Sequence, residues 1–402
     1  MNKLSVEDVN FEGKRVVMRC DYNVPLDKAG KITNNERITA TLPTINHIMS
    51  QKPHSLVLMS HLGRPKGKRC PEYSLEVVAA ELTALLKTEV TFVKEITTEE
   101  ATSAVAKGGI ILLENLRFYP EEEGKGCEKE AVTKFRESLA ALGNVYVCDA
   151  FGTAHRAHSS MVGEGFDVRC SGFLLSKEIK FLYNVLESGE SPFVGIIGGA
   201  KVKDKIGVVT KLLRRVDKLI LCGGLSFTFL KSQGMSIGKS LFAAERFKEI
   251  EEILSLAKAK GVEIVLPGDF VIADDFSETA NTKIVTKEEG IPDEWEGLDC
   301  GPKSQELFSD VIKSAKTVVW NGPAGVFEME PFSHGTRGIM KACIEATAKH
   351  GTVTVVGGGD SATAAVKYGL SGFSHVSTGG GASLAVLEGH VLPGIARLSD
   401  KE

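Results

Sequence analysis

Residues 352–368 read Thr352-Val353-Thr354-Val355-Val356, then Gly357-Gly358-Gly359-Asp360-Ser361, then Ala362 through Tyr368. The first five are β-branched and uninterrupted by charge, which suits a strand buried on both faces. Three glycines permit a tight turn, and the last seven residues have a helical pattern. Strand, glycine turn and helix in that order form the repeating unit of α/β architecture. The same reading recurs outward along the chain at Val16-Val17-Met18, Leu56–Met59, Ile110–Leu113, Val145–Cys148, Val194–Ile197, Leu219–Leu221, Val262–Val265 and Thr317–Trp320. Amphipathic stretches such as Ser74–Lys87 and Ala244–Lys260 lie between these runs. So many strands exceed one ordinary sheet. The pattern predicts two doubly wound, parallel-sheet (Rossmann-like) α/β domains. A helical stretch, Phe173–Ser188, followed by Gly189-Glu190-Ser191-Pro192, marks the boundary. The expected division is an N-terminal domain over 1–172, a connecting helix over 173–189 and a C-terminal domain over 190–388.

Length and composition agree with this reading. The chain has 402 residues, enough for two large domains, with 43% hydrophobic and 25% charged residues, so it buries a core and is not disordered. Forty-eight basic against fifty-two acidic side chains give a net charge of −4. That balance argues against general nucleic-acid or membrane-surface partners. No apolar run approaches the length of a membrane span, and the first residues, Met1–Val17, contain no apolar core of a signal peptide. The eight cysteines are scattered without a C-x-x-C pair, which disfavours zinc and suits buried thiols in a reducing, cytoplasmic setting.

In open α/β sheets, ligands bind beyond the carboxyl ends of the strands, so the residues after each run carry the chemistry. In the first half these are Arg19, Asp21 and Asn23; then His61, Leu62, Gly63 and Arg64; then Arg117; then His155, Arg156 and His158. Arg37 follows a polar loop. Arginine and histidine after four successive strands predict a cationic bowl for a small substrate bearing carboxylate and phosphate, which guanidinium groups grip in bidentate fashion. In the second half the strand ends lead into Gly198-Gly199-Ala200-Lys201, Gly223-Gly224 and Gly357-Gly358-Gly359-Asp360-Ser361. Such turns point backbone N–H groups at phosphate oxygens. Asp360 or Ser361 suits the N-cap of the following helix. Lys201 and Lys205, four apart, share one face of a helix beginning there. Together these predict a nucleotide phosphate site with Asp360 placed for Mg²⁺.

The common nucleotide signatures are absent. A Walker A motif ending at Gly238-Lys239-Ser240 needs glycine at 233, where Gln233 stands. The G-x-G-x-x-A pattern at Gly357–Ala362 lacks the acidic residue that a dinucleotide fold needs, and with the first-half arginines this weighs against a nicotinamide dehydrogenase. Larger blocks carry a resemblance. Arg19-Cys20-Asp21-Tyr22-Asn23-Val24-Pro25, Met59–Pro65, Glu114–Phe118, Asp149–His158, Gly198–Ile206, Trp320–Glu328, Gly357–Ser361 and Ser377–Ser383 resemble, in order, the motifs of the phosphoglycerate kinase family. Departures are few: Ser361 where the family often has threonine, Ser226 where alanine is common, and Ala385 where glutamate is frequent.

The resemblance implies two domains facing across a hinged cleft, with the chain after about Gly389 returning to the N-terminal domain. It implies a monomeric, cytoplasmic enzyme of glycolysis and gluconeogenesis that passes a phosphoryl group directly, in line, between 1,3-bisphosphoglycerate and ADP, giving 3-phosphoglycerate and ATP. By the same resemblance, Asp21, Tyr22, Asn23, Arg37, His61, Leu62, Gly63, Arg64, Arg117 and Arg156 bind the glycerate. Gly199, Ala200, Lys201, Lys205, Gly223, Gly224, Asn321, Pro323, Glu328, Gly357, Gly358, Gly359, Asp360 and Ser361 bind the nucleotide, with Glu328 on the ribose and Asp360 on Mg²⁺. Arg37, Lys201, Gly358 and Gly381 surround the transferring phosphoryl. All these positions are filled, which weighs against an inactive nucleotide-binding scaffold.

Overall fold

Six parallel strands build the first sheet: β1 (Arg15–Arg19), β2 (Ser55–Met59), β3 (Val90–Val93), β4 (Gly109–Leu113), β5 (Val145–Cys148) and β6 (Val168–Ser171), in the order β3-β4-β2-β1-β5-β6. The continuous apolar runs have the burial that their composition demands: β2 and β5 are buried at every position. The computed structural model describes residues 1–96, 99–377 and 379–401, and these divide into one unit of Met1–Lys180 with Val391–Glu402 and a second of Phe181–His390. In the first unit the C-terminal segment is stitched to the N-terminus by the Lys3–Asp400 bridge and by Leu4 N–H donating to the Ser399 carbonyl at 2.8 Å.

The second unit contains β7 (Phe193–Ile197), β8 (Lys218–Leu221), β9 (Glu263–Val265), β10 (Asp269–Ala273), β11 (Thr282–Thr286), β12 (Glu296–Cys300), β13 (Thr317–Asn321), β14 (Val353–Gly357) and β15 (His375–Val376). Six of them form a parallel sheet ordered β15-β14-β13-β7-β8-β9. Strand order reverses between β1 and β5 in the first sheet and between β7 and β13 in the second. These are the switch points where a ligand crevice opens. Both six-stranded sheets agree with the doubly wound expectation. A third sheet, β11-β10-β12, is antiparallel and is an addition to it.

The expected connecting helix runs without a break from Phe173 to Ser188 but changes its winding along the way. It consists of an α-helix Phe173–Glu178, a wider π turn Ile179–Asn184 and a short helix Val185–Ser188, and the division between units falls inside it, after Lys180. Its first part is fastened to the first unit. Buried Asp149, at the end of β5, accepts Leu175 N–H at 3.0 Å and the Thr44 hydroxyl at 2.7 Å, while Thr44 Oγ accepts Phe173 N–H at 3.1 Å. Helix-start amides with no partner inside the helix are satisfied in this way.

Candidate active site

The strand ends of the first unit build a cationic rim around a buried arginine. Arg19, fully enclosed at the end of β1, donates from Nε to Ser160 Oγ at 2.7 Å, closely to the Cys20 carbonyl from Nη1, and lies 3.2 Å through Nη2 from His61 Nδ1. Ser160 in turn donates to buried Glu122 at 2.6 Å. Arg117 is also largely buried: Nη1 donates to the Gly63 carbonyl at 2.9 Å, and Nε lies 3.4 Å from Glu123 Oε1. Gly63 N–H donates to Asn23 Oδ1 at 2.9 Å, so the 21–23 and 61–64 turns are tied together. Arg64 and Arg156 are exposed and carry no ion pair among the described residues. Arg37 pairs with Asp21 at 2.7 Å, its side chain 48% exposed.

Burial, reinforced by neighbouring Arg19 and Arg117, pushes the His61 imidazole well below its usual range and His158 down to about 3. His155 is lowered by burial and by Arg156. The three rings are therefore neutral at pH 7, and the positive charge of the rim belongs to its arginines. Nδ1 of both His155 and His158 is buried without a hydrogen-bond partner among the described residues. Neutral rings with an unspent nitrogen suit hydrogen bonding to an anion better than proton transfer.

In the second unit three turns interlock at the switch point. Gly198 N–H donates to the Asn321 carbonyl at 2.9 Å, Gly199 N–H to the Pro323 carbonyl at 2.8 Å, and Gly322 N–H to Ser361 Oγ at 2.8 Å. Glycine is required here because a Cβ at Gly322 would stand 2.2 Å from the Gly198 carbonyl oxygen. Lys205 Nζ donates closely to Asn321 Oδ1, and burial lowers its pKa against the raising influence of Asp360 and Asp204. The Asn321 Nδ2 group is buried with no partner among the described residues. Beside these turns opens a cavity of about 470 Å³. One wall is apolar, made by Phe227, Leu241, Phe270, Phe276, Val326 and Phe327, and the other end reaches Gly199, Ala200, Gly223, Gly224, Pro323, Glu328 and Asp360. Asp360 is an exposed second residue of the helix Gly359–Lys367, so its carboxylate and the amides of Gly359 and Asp360, which have no partner among the described residues, lie at one helix start.

Several expected details differ. Tyr22 is fully buried, its hydroxyl 3.0 Å from Thr41 Oγ1 and its N–H on Ser60 Oγ, so its ring belongs to the core and not to a ligand surface. Leu62 is likewise buried, its carbonyl accepting from Asn115 Nδ2 at 2.7 Å. Lys201 and Lys205 do not share a helix face. The helix is Val202–Leu212 and Lys201 is its N-cap with φ −89° and ψ 87°, and a non-helical cap residue projects apart from the helical rows. Ser361 does not cap its helix either; Gly358 holds that position with φ 91°, and the buried Ser361 hydroxyl serves Gly322 instead. The Gly198 and Gly199 amides are spent on backbone carbonyls and cannot cradle phosphate. Gly357 closes β14, buried, and Gly381 begins the helix Gly381–Leu387. Thr378, between Ser377 and Gly379 of the last motif, lies outside the described residues. The apolar wall was missed because much of it belongs to the antiparallel β10–β12 insertion and its surroundings. A usable signal was present in Glu296-Gly297-Leu298-Asp299-Cys300 followed by Gly301-Pro302, a strand running into a helix with proline at its first position.

A cationic, sheet-end anion site in one doubly wound unit and, in the other, a cavity that runs from apolar side chains to glycine turns and the exposed Asp360 carboxylate define an α/β phosphotransferase. Comparison with known proteins gives the family. The phosphoglycerate kinase family model matches residues 6–390. Over 99% of both chains, this chain is 54% identical to a probable phosphoglycerate kinase of Caenorhabditis elegans, and over 100% of this chain and 99% of the other it is 53% identical to a phosphoglycerate kinase of Candida albicans. The solved phosphoglycerate kinase of Coxiella burnetii superposes with a TM-score of 0.89 at 38% identity, covering 98% of each chain, and that of Pyrococcus horikoshii with 0.76 at 31%, also covering 98% of each. The chain belongs to the phosphoglycerate kinase family. Its reaction is reversible phosphoryl transfer between 1,3-bisphosphoglycerate and ADP, giving 3-phosphoglycerate and ATP.

Proposed function

We propose that the first unit holds the phosphoglycerate and the second the nucleotide with Mg²⁺. The observation that carries this is the cavity of the second unit, which joins an apolar wall of nucleobase character to glycine turns and the exposed Asp360 carboxylate. On this reading Glu328 accepts from the ribose, Lys201 and Lys205 meet the phosphates, and Asn321 Nδ2 is spent on a phosphate oxygen. Arg64 and Arg156, free of ion pairs, with Arg117, His61 and Asn23, grip the non-transferred phosphate and the carboxylate. Asp21, an unusual group in an anion site, receives the glycerate hydroxyl. The 3-phosphoglycerate carboxylate is already ionised and needs no general base, so catalysis is positioning plus charge stabilisation of the phosphoryl oxygens.

Among the described residues no group of three or more metal-ligating side chains occurs. Asp360, an exposed carboxylate at the helix start beside the glycine turns, suits Mg²⁺ arriving with a nucleotide, because that ion needs only one or two carboxylates and keeps waters and phosphate oxygens as its other ligands. Bound there, the ion would neutralise the developing phosphate charge. No helix of the described residues is long and apolar enough to cross a membrane; the eight cysteines are all free, which fits a reducing compartment. The test is Asp360→Ala in a coupled assay with ATP and 3-phosphoglycerate. The Mg²⁺ concentration for half-maximal rate should rise at least about tenfold, with 3-phosphoglycerate affinity unchanged; an unaltered Mg²⁺ requirement would remove Asp360 from the metal site.

A further inference from the structure

The loop Gly322–Glu328, which carries Pro323 and Glu328 into the nucleotide cavity, rests on a group that the site reading leaves unused. Asp299, the fourth residue of β12, is buried and lines the same cavity. Its Oδ1 accepts Cys300 N–H at 2.9 Å, and its Oδ2 accepts Gly335 N–H at 2.8 Å, at the start of the 17-residue helix His334–His350. The backbone presses on the carboxylate from two sides. A Cβ at Gly325 would stand 2.4 Å from Oδ1, and one at Gly335 2.3 Å from the same atom. The loop is also pinned next door by Val326 N–H on the Leu298 carbonyl at 2.9 Å and by Ala324 N–H on Thr336 Oγ1 at 3.0 Å. One carboxylate thus bonds the strand end to the helix start and packs against the underside of the nucleotide loop at Gly325.

We infer that Asp299 is a positioning residue for the nucleotide: its ionised carboxylate, fixed by the amides of Cys300 and Gly335, is the seat on which Gly325 holds the Gly322–Glu328 loop. The inference rests on the proposal that the nucleotide occupies the cavity of the second unit. Asp299 touches neither the reacting atoms nor Asp360 among its hydrogen bonds; it acts through the loop. No lysine or arginine pairs with it among the described residues. Of the titratable groups around it, the Cys222 and Cys300 thiols interact with it directly, Asp269 lies beside Cys300, Glu296, Glu328 and Asp360 line the same cavity, and the helix that starts on it carries His334 and Arg337 in its first turn. The Cys222 and Cys300 thiols are pushed far up by burial and stay neutral. Burial pushes the Asp299 carboxyl up to about 7, against the lowering influence of the Gly335 and Cys300 amides. A protonated acid accepts these amides less strongly, so the seat is at its firmest above neutrality.

The experiment compares Asp299→Asn with the native chain, measuring KM for MgATP and for 3-phosphoglycerate and the calorimetric Kd for MgATP at pH 6 and pH 8. An asparagine turns an NH₂ toward one of the two backbone donors, so the loop loses half its seat. KM for MgATP should rise about tenfold and KM for 3-phosphoglycerate should stay within about twofold. With a midpoint near 7, the native chain should lose up to about tenfold more MgATP affinity between pH 8 and pH 6 than the variant does, and this difference cancels the titration of the nucleotide itself. Gly325→Ala strains the same contact without removing the carboxylate and should also raise KM for MgATP selectively, which keeps the inference testable if Asp299→Asn fails to fold. Unchanged KM for MgATP in both variants, an equal rise for both substrates, or the same pH response in native and variant chains would overturn it. Lys205→Ala in the same assays separates the two claims. If Lys205→Ala weakens MgATP while the Asp299 and Gly325 variants do not, the inference alone fails; if Lys205→Ala is also without effect, the nucleotide site itself is misplaced.

Discussion

Arg37 is held by little: an ion pair with Asp21 at 2.7 Å, on a four-residue helix Glu36–Thr39, with the side chain 48% exposed. Exposed pairs of this kind contribute little to stability, so Arg37 is free to exchange Asp21 for a phosphoryl group. Replacing it by alanine should lower kcat by about 10²–10³, roughly 3–4 kcal/mol, with small changes in the separate dissociation constants for MgATP and 3-phosphoglycerate. Lysine should restore the rate only in part, since a point charge cannot span two oxygens. A near-normal kcat, or a defect confined to binding, would show that Arg37 is a binding residue or none. The exposed Arg64 and Arg156 were legible because a charged residue just past a buried strand has few places to go but the rim. Tyr22 and Ser361 were not, because a motif gives the residue and not the direction of its side chain. Thr41 and Gly322, remote in sequence, decide that direction. Nor does the sequence show that Arg19 is enclosed and that His61 is kept neutral by it, since both facts come from burial.

At the scale of elements, Asp149 joins β5 to the helix that leaves the first unit. Burial raises its carboxyl from 3.8 to about 6 in the folded protein, although Thr44 and the Leu175 amide pull it down. The folded state therefore holds the proton more tightly than the unfolded chain. Stability from this group is present below about pH 4 to 6 and declines as pH rises through 6, by up to about 3 kcal/mol. Asp149→Asn, which keeps an acceptor for Leu175 N–H, should remove that dependence. Urea midpoints at pH 4.5 and 7.5 should show the variant gaining on the native chain at the higher pH, and a constant gap between them would refute the assignment. The parallel strands were readable because burial on both faces leaves an uninterrupted apolar run, as in β2, β7 and β13. β11 and β12 were not, because Thr-Lys-Ile-Val-Thr and Glu-Gly-Leu-Asp-Cys mix polar residues into their strands, β11 being largely exposed; β10, Asp-Phe-Val-Ile-Ala, is a mostly buried run that pairs with them. The π segment inside the 173–188 helix was not legible either: helical periodicity does not distinguish an α-turn from a π turn, and anchoring to Asp149 and Thr44 is tertiary.

For the molecule as a whole, a net charge of −4 coexists with a cationic rim in the first unit, so anion capture is local. Sulfate should compete with 3-phosphoglycerate at fixed ionic strength, raising its apparent KM while leaving KM for MgATP unchanged; an indifferent KM for 3-phosphoglycerate would argue against the rim as its site. On the function proposed here the two units divide the labour, the glycerate being held by one and the nucleotide by the other. The most direct measurement is a set of four dissociation constants, MgATP and 3-phosphoglycerate each titrated by calorimetry into Lys205→Ala and Arg64→Ala. Loss of one charge-assisted contact corresponds to roughly tenfold or more in affinity. Lys205→Ala should therefore weaken MgATP by at least about tenfold and leave 3-phosphoglycerate within twofold, and Arg64→Ala should do the reverse. If either substitution weakened both ligands equally, the two binding functions would not be separable and the account would be wrong.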